Sequence, residues 1–171
     1  RWVISPFLWH KGITKIDAVV LTHPHADHVG GLATVVNNFK LKYAFDNGQS
    51  LDSWAYKNYI LALRNKSISR QILTSGKEIV GYPEVKIFIF NPPTDFFKNT
   101  AADENNNSIV VKIIFKQVSF LLCADLEEEG ARGVLGSGQD LNSTFIKVPH
   151  HGSEVKEVEK IFLEKINPRV A

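Results

Sequence analysis

Four potential metal ligands fall within six residues in the segment His23-Pro24-His25-Ala26-Asp27-His28. His23 and His25 are two apart in an extended stretch, so their rings can point to the same side. Asp27 and His28 follow where the chain turns toward a helix, and can face a second point a few ångströms away. Gly30-Gly31 lets the backbone bend closely around such a site. Neutral imidazole and carboxylate together suit zinc, manganese or iron. A lone histidine in such a place is usually a polar loop residue. Three of them with an aspartate, packed between an apolar strand and a Gly-Gly helix start, read as a donor set. The chain holds six histidines, and five lie in two clusters, this one and His150-His151.

Other residues stand near these clusters in the pattern. Asp125 follows a strand-like run, and a carboxylate before Leu126-Glu127-Glu128 serves either as a helix N-cap or as a ligand. With two histidine clusters present, the ligand reading is favoured. Cys123 falls on the same strand face as Asp125, but a buried free cysteine is usually core. Lys147 precedes the second pair and either reaches a phosphate or is solvated at the surface. His10, after Trp9, reads as structural.

Hydrophobic periodicity gives the elements that must position these groups. Asp17-Ala18-Val19-Val20-Leu21-Thr22 is the short apolar run of a buried strand, ending in the first cluster. Leu32, Val35, Val36 and Phe39 then recur at helical spacing, which puts the cluster in a strand-to-helix loop. A strand over Leu41 to Phe45 follows. A helix over Leu51 to Arg64 has Leu51, Ala55, Tyr59, Ala62 and Leu63 on one face. From Ile72 the texture is β, with runs Val85 to Phe90, Ile109 to Phe115 and Val118 to Cys123. The last two are joined by Lys116-Gln117, a dipeptide not favoured in two-residue hairpins. Asn91 to Asn107, rich in Pro, Asn and Asp, predicts a long loop, either a lid or binding loop or a surface excursion. Asp125 to Glu129 opens a short helix with acidic residues in its first turn. Thr144 to Val148 predicts a strand ending in the second cluster. Val155, Val158, Ile161, Phe162 and Ile166 then form the stripe of a final helix, with Ser153 as its N-cap. Strands and helices alternate at both ends around a β-rich middle, the texture of an α/β layered domain.

At 171 residues, with 44% apolar and 22% charged residues, the chain has the size and composition of one globular domain. No apolar run approaches a membrane helix, and Arg1 to His10 does not read as a signal peptide. The formal charge of +2, with Lys and Arg dispersed, supplies no basic arm for nucleic acid. A single cysteine excludes an internal disulfide. There is no internal repeat, and Asn105-Asn106-Asn107 is the one low-complexity run.

Thr22-His23-Pro24-His25-Ala26-Asp27-His28 resembles the HxHxDH signature of the metallo-β-lactamase superfamily. Three downstream segments resemble the ComEC-type branch of that superfamily. They are Asn107-Ser108 before an apolar strand, Ser119 to Asp125, and Lys147-Val148-Pro149-His150-His151-Gly152-Ser153. Bacterial phosphorylcholine esterases share a similar pattern. The resemblance runs in order from about Ile16 to the C-terminus. It implies an α/β fold, the αββα sandwich, as a single domain over residues 1–171. The glycine-rich strand pair that opens the family's fold and its last strand have no counterpart, so the chain is expected to be an interior excerpt.

The resemblance also implies roles. His23 and His25 would bind a first metal, and Asp27 and His28 a second. Asp125 would bridge the two, and His151 would complete the second site. His150 is left to contact a substrate phosphate or donate a proton, so it and Asp27 are the expected catalytic groups. Asn107, Lys147 and Ser153 are the expected substrate contacts. The cofactors would be one or two divalent ions, zinc or manganese, which acidify water and clamp a phosphoryl or carbonyl oxygen. The implied activity is that of a two-metal phosphodiesterase or nuclease acting on DNA. Alternatives are hydrolysis of a phosphorylcholine ester, thioester or lactam, or a catalytically weak DNA-guiding module of an uptake channel. The implied setting is a domain on the outer face of a bacterial cytoplasmic membrane, with a membrane channel as its partner in the longer chain. One departure stands out: no histidine lies between His28 and His150, where many superfamily members carry a further ligand. Asp46, Asn47, Gln49 and Asn105 to Asn107 are candidates to fill the gap. A site short of one imidazole should hold its first ion weakly and tolerate manganese.

Overall fold

In the computed structural model, which describes residues 3–153 and 157–171, the chain is mixed α/β, as its periodicity implies. Val155, expected on the final helical stripe, lies outside the described residues. The chain forms two compact units, Arg1–Ile72 and Leu73–Ala171.

The first unit runs α1 (Ile4–His10), β1 (Lys15–Leu21), α2 (Ala26–Val29), α3 (Leu32–Asn38), β2 (Lys40–Asp46), α4 (Trp54–Asn65) and β3 (Arg70–Ile72). Its three strands form a parallel sheet in the order β1-β2-β3. Leu21 stands opposite Asp46, and Asp46 opposite Ile72. Val19 and Leu21 of β1 share a core with Val35 and Val36 of α3 and with Tyr59, Ala62 and Leu63 of α4. The crossovers are helical because parallel neighbours cannot be joined by a tight turn. Both α3 and α4 place an apolar stripe against the strands. The chain therefore leaves β1 and β2 at one edge of the sheet, the edge where open α/β sheets place their ligands.

Two expectations are corrected here. The histidine cluster is not wholly in a loop: Asp27 and His28 lie in the single turn of α2, whose first bonds run from the His28 and Val29 N–H groups to the His25 carbonyl at 3.1 and 2.9 Å. The helix expected from Leu51 starts at Trp54 instead. Ser53, in extended conformation, accepts the Tyr56 N–H at 3.2 Å and caps it, so Leu51 stays outside.

The second unit runs β4 (Glu78–Ile79), β5 (Val85–Asn91), α5 (Asp103–Asn106), β6 (Val110–Phe115), β7 (Val118–Leu122), α6 (Glu128–Gly136), β8 (Phe145–Lys147), a 3-10 turn (Pro149–Gly152) and α7 (Glu157–Ile166). The five strands form one sheet in sequential order, antiparallel except for the parallel β7–β8 pair. The expected hairpin is present, with Phe115 facing Val118. Lys116 takes the left-handed position of the turn at φ 55°. Leu121 and Cys123 pack with Leu126, Ala131 and Val134 at and beyond the start of α6, and with Phe162 and Ile166 of α7.

The stretch Asn91 to Asn107 is not a free excursion, because α5 occupies its end and side-chain amides stitch it down. Asn91 Nδ2 donates to the carbonyls of Asn106 and Ser108 at 2.9 and 2.6 Å. Asn106 Oδ1 accepts the Gly130 N–H at 2.8 Å. A Cβ on residue 130 would sit 2.7 Å from the Asn106 carbonyl oxygen, so the contact requires glycine there. Among the described residues, no helix is long and apolar enough to cross a membrane.

Candidate metal centre

In the first unit, β1 delivers the buried His23 to the sheet edge, and the turn into α2 brings the other donors back to it. The His23 ring lies 4.7 Å from that of His25, edge to face, and 4.1 Å from that of His28. Thr22 Oγ1 lies 3.1 Å from Nδ1 of His23 and 3.3 Å from Nδ1 of His28. A hydroxyl on the inner nitrogen of two imidazoles is the kind of outer contact that orients ligating rings. Asp27 Oδ2 lies 3.6 Å from His28 Nε2. Three imidazoles and a carboxylate carried by one six-residue stretch, with the His23 ring beside those of His25 and His28, form a nitrogen and oxygen donor set whose chemistry fits a divalent cation such as zinc or manganese.

In the second unit, the ends of the parallel pair β7 and β8 carry the remaining candidates side by side. Asp125 is buried in the turn after β7, where the Leu126 N–H bonds the Cys123 carbonyl at 3.2 Å. It is not the helix cap, since α6 begins at Glu128 with Glu127 before it. The His150 N–H donates to the Ala124 carbonyl at 2.9 Å, tying the two strand ends together. His151 Nε2 lies 3.5 Å from Asp125 Oδ1, and His150 Nδ1 lies 3.4 Å from Glu127 Oε1. The backbone is left-handed at Ala124, φ 49°, and through His150, His151 and Gly152, φ 44°, 54° and 78°. Such conformations cost energy in non-glycine residues and persist where surrounding structure enforces them.

The remaining candidates divide. Asn107 is buried, with Oδ1 accepting the Phe97 N–H at 2.9 Å and Nδ2 donating to the carbonyls of Phe97 and Asp103 at 2.9 and 2.8 Å. These bonds pin the 91–107 stretch to itself. Lys147 is exposed and donates to the Val148 carbonyl at 2.8 Å. Ser153 is exposed and closes the 3-10 turn through its N–H to the His150 carbonyl at 3.0 Å. Cys123 is fully buried in the second core, which pushes its thiol up to about 12, so it is core as expected.

The groups considered for the missing ligand are engaged elsewhere. Asp46 is 1% exposed and ion-paired to Arg70 Nε at 2.7 Å, with Oδ1 accepting the Gly48 N–H at 2.8 Å. Asn47 Nδ2 donates to Gln49 Oε1 at 2.6 Å. Asn105 and Asn106 donate to Glu127 and Glu129 at 2.7 and 2.8 Å. Thr22 and Glu127 were not singled out for roles from sequence. The alternation Asp125-x-Glu127 beside a histidine pair is the one signal that could have marked Glu127.

Comparison with known proteins follows from this geometry. The family model of the metallo-beta-lactamase superfamily matches residues 1–170. ComE operon protein 3 of Bacillus subtilis is 26% identical over 169 residues, which is 99% of this chain and 21% of that protein. The uncharacterized protein YcaI of Escherichia coli is 26% identical over 171 residues, 99% of this chain and 19% of that one. The chain thus spans about a fifth of the length of the curated relatives it matches. Among solved structures, the metallo-beta-lactamase fold protein YhfI from Bacillus subtilis superposes with a TM-score of 0.53 at 10% identity, over 97% of this chain and 67% of that one. A mutant CmlA beta-hydroxylase gives 0.56 at 11% identity, over 92% and 36%. At such identities the two structures show the fold alone.

Proposed function

The chain belongs to the metallo-β-lactamase superfamily, and from that premise we propose that it is a two-metal phosphodiesterase acting on DNA. The superfamily is one of metal-dependent hydrolases. The observation that carries the reading is the convergence of His23, His25 and His28, with Asp27, at the edge of the first sheet. The proposed ligands are His23 and His25 for one ion and Asp27, His28 and His151 for the other, with Asp125 shared. That assignment rests on the HxHxDH resemblance and on the donor chemistry of the residues. Divalent ions bound there supply Lewis acidity to a phosphoryl oxygen and acidify water. Asp27, exposed beside His28, orients the attacking water and takes its proton. His150 contacts the phosphate or delivers a proton to the leaving oxygen.

A phosphodiester is favoured over a lactam or thioester for two reasons. The ComEC-type resemblance, supported by the similarity to ComE operon protein 3, links the branch to DNA. Lys147 also supplies positive charge, which the anionic transition state of phosphoryl transfer needs more than a neutral amide does. Within that reading, the chain is the hydrolytic portion of a longer membrane protein that handles incoming DNA on the outer face of the membrane. One observation favours a second reading: the absence of any histidine between His28 and His150 suits a DNA-guiding module with a weakened metal site. Metal content after exhaustive dialysis separates the two.

With a net charge of only +2, affinity for DNA should be modest and fall steeply with salt. The assay therefore runs at low ionic strength with added manganese. It compares single-stranded DNA, bis-p-nitrophenyl phosphate, a chromogenic cephalosporin and a thioester. Hydrolysis of the two phosphodiesters is expected. Turnover of the lactam or thioester with both phosphodiesters untouched refutes the reading.

A further inference from the structure

His150 and His151 are adjacent in sequence, yet their rings have diverged, with centroids 6.4 Å apart and planes tilted by 59°. Each meets a different carboxylate, His151 through Nε2 on Asp125 and His150 through Nδ1 on Glu127, at 3.5 and 3.4 Å. Glu127 is the N-cap residue of α6, in extended conformation, but makes no side-chain cap bond. Short side chains such as aspartate cap from that position, and the longer glutamate is free to reach elsewhere. Here the same oxygen, Oε1, instead accepts Asn105 Nδ2 at 2.7 Å and faces His150. Asn105 is itself only 6% exposed, so the brace is rigid.

We infer that Glu127, braced by Asn105, is a positioning residue that sets the roles of the histidine pair by holding His150 at Nδ1. The two ring nitrogens lie on different edges; Glu127 Oε1 stands at ion-pair distance, 3.4 Å, from Nδ1, and a carboxylate on that edge favours the proton of the neutral ring there. Nε2 lies on the ring's other edge, and the ring is 41% exposed; bare in the neutral ring, Nε2 takes up a proton first and is then the atom that delivers it to the leaving oxygen. His151 is left to Asp125 and the metal. This role for Nε2 rests on the phosphodiesterase reading; the fixed tautomer does not.

The test uses nitrogen NMR of the metal-free chain at pH 8 to assign the neutral tautomers. His150 is expected to carry its proton on Nδ1 in the wild type and in Glu127→Gln, whose amide oxygen still accepts it. Glu127→Ala and Asn105→Ala should shift His150 toward an unconstrained mixture. Proton occupancy on Nε2 in the wild type, or an unchanged tautomer in folded Glu127→Ala, overturns the inference. On single-stranded DNA, whose alkoxide leaving group needs a proton, Glu127→Ala and His150→Ala should each lower kcat about 100-fold, the low end for a positioned proton-transferring group. The double variant should be no worse than His150→Ala, and bound metal should be unchanged in all three. Additive losses in the double variant, or loss of a metal equivalent in Glu127→Ala, overturn it. If no phosphodiester is turned over, the tautomer measurement still decides the role of Glu127, and the proposed activity alone fails.

Discussion

Replacing Arg70 with leucine should expose how the edge of the first sheet is held together. Asp46 is 1% exposed and Arg70, its partner at 2.7 Å, is 29% exposed. Burial pushes the Asp46 carboxyl above its ordinary value of 3.8, and the Arg70 guanidinium pulls it back. Removing one member of a fully buried pair costs about 3–5 kcal/mol. Solvent reaches Arg70, so a loss of about 2–3 kcal/mol at pH 7 is the reasonable expectation. In urea this lowers the unfolding midpoint by about 1 M.

The pH dependence gives the sharper test. With Arg70 gone, the folded carboxyl titrates still further above its unfolded value. The folded state then holds a proton that the unfolded chain releases, so the penalty is full above the raised folded value and vanishes as pH falls through it. The deficit of Arg70→Leu relative to wild type should therefore shrink as the pH falls from 7 through the raised folded value toward the ordinary 3.8. Adding Asp46→Asn should recover most of it and remove that dependence. A deficit that stays equally large from pH 7 down to about pH 4, or no recovery in the double variant, refutes the reasoning. The metal stoichiometry of Asp46→Asn should match wild type, since Asp46 is engaged by Arg70 and the Gly48 N–H.

Gly130→Ala should destabilise the chain by about 1–3 kcal/mol, because the new Cβ would lie 2.5 Å from Leu126 Cδ1 and 2.7 Å from the Asn106 carbonyl oxygen. A thermal melt lowered by about 5 °C is the expected reading. Cys123, buried with its thiol pushed up to about 12, should resist a disulfide reagent in the native protein and react fully in denaturant; rapid native modification would contradict the burial. Asp125→Ala should abolish phosphodiester hydrolysis while circular dichroism stays near wild type, and wild-type turnover in that variant would remove Asp125 from the proposed ligand set.

What could be read from the sequence follows the range over which each signal acts. The histidine cluster was legible because its donors are consecutive and flanked by an apolar strand and a Gly-Gly start, all within one local pattern. The strands β1, β2 and β5 to β7 were legible from their β-branched and aromatic runs. Leu51 was misplaced because apolar spacing alone cannot show that Ser53 caps the helix. Asp125 was a fair cap candidate by composition, but the chain makes a turn on Cys123 first and starts α6 at Glu128. Glu127 and Asn105 were opaque because their bond spans 22 residues, and nothing local in either segment announces it. The bonds of the Asn107 amide to Phe97 and Asp103 were likewise not legible, since they too depend on how the stretch folds back.

The left-handed run through His150, His151 and Gly152 has a consequence for where the conformation of this segment comes from. For an ordinary L-residue this conformation is disfavoured by roughly 1–2 kcal/mol, so the segment would abandon it as a free peptide. In a zinc finger the ion folds the peptide around itself. In this chain the backbone carrying the two rings is tied at the ends of β7 and β8 by the bond from the His150 N–H to the Ala124 carbonyl. Transplanting the Pro149-His150-His151-Gly152 segment onto another scaffold would carry over its donor atoms but leave their arrangement behind.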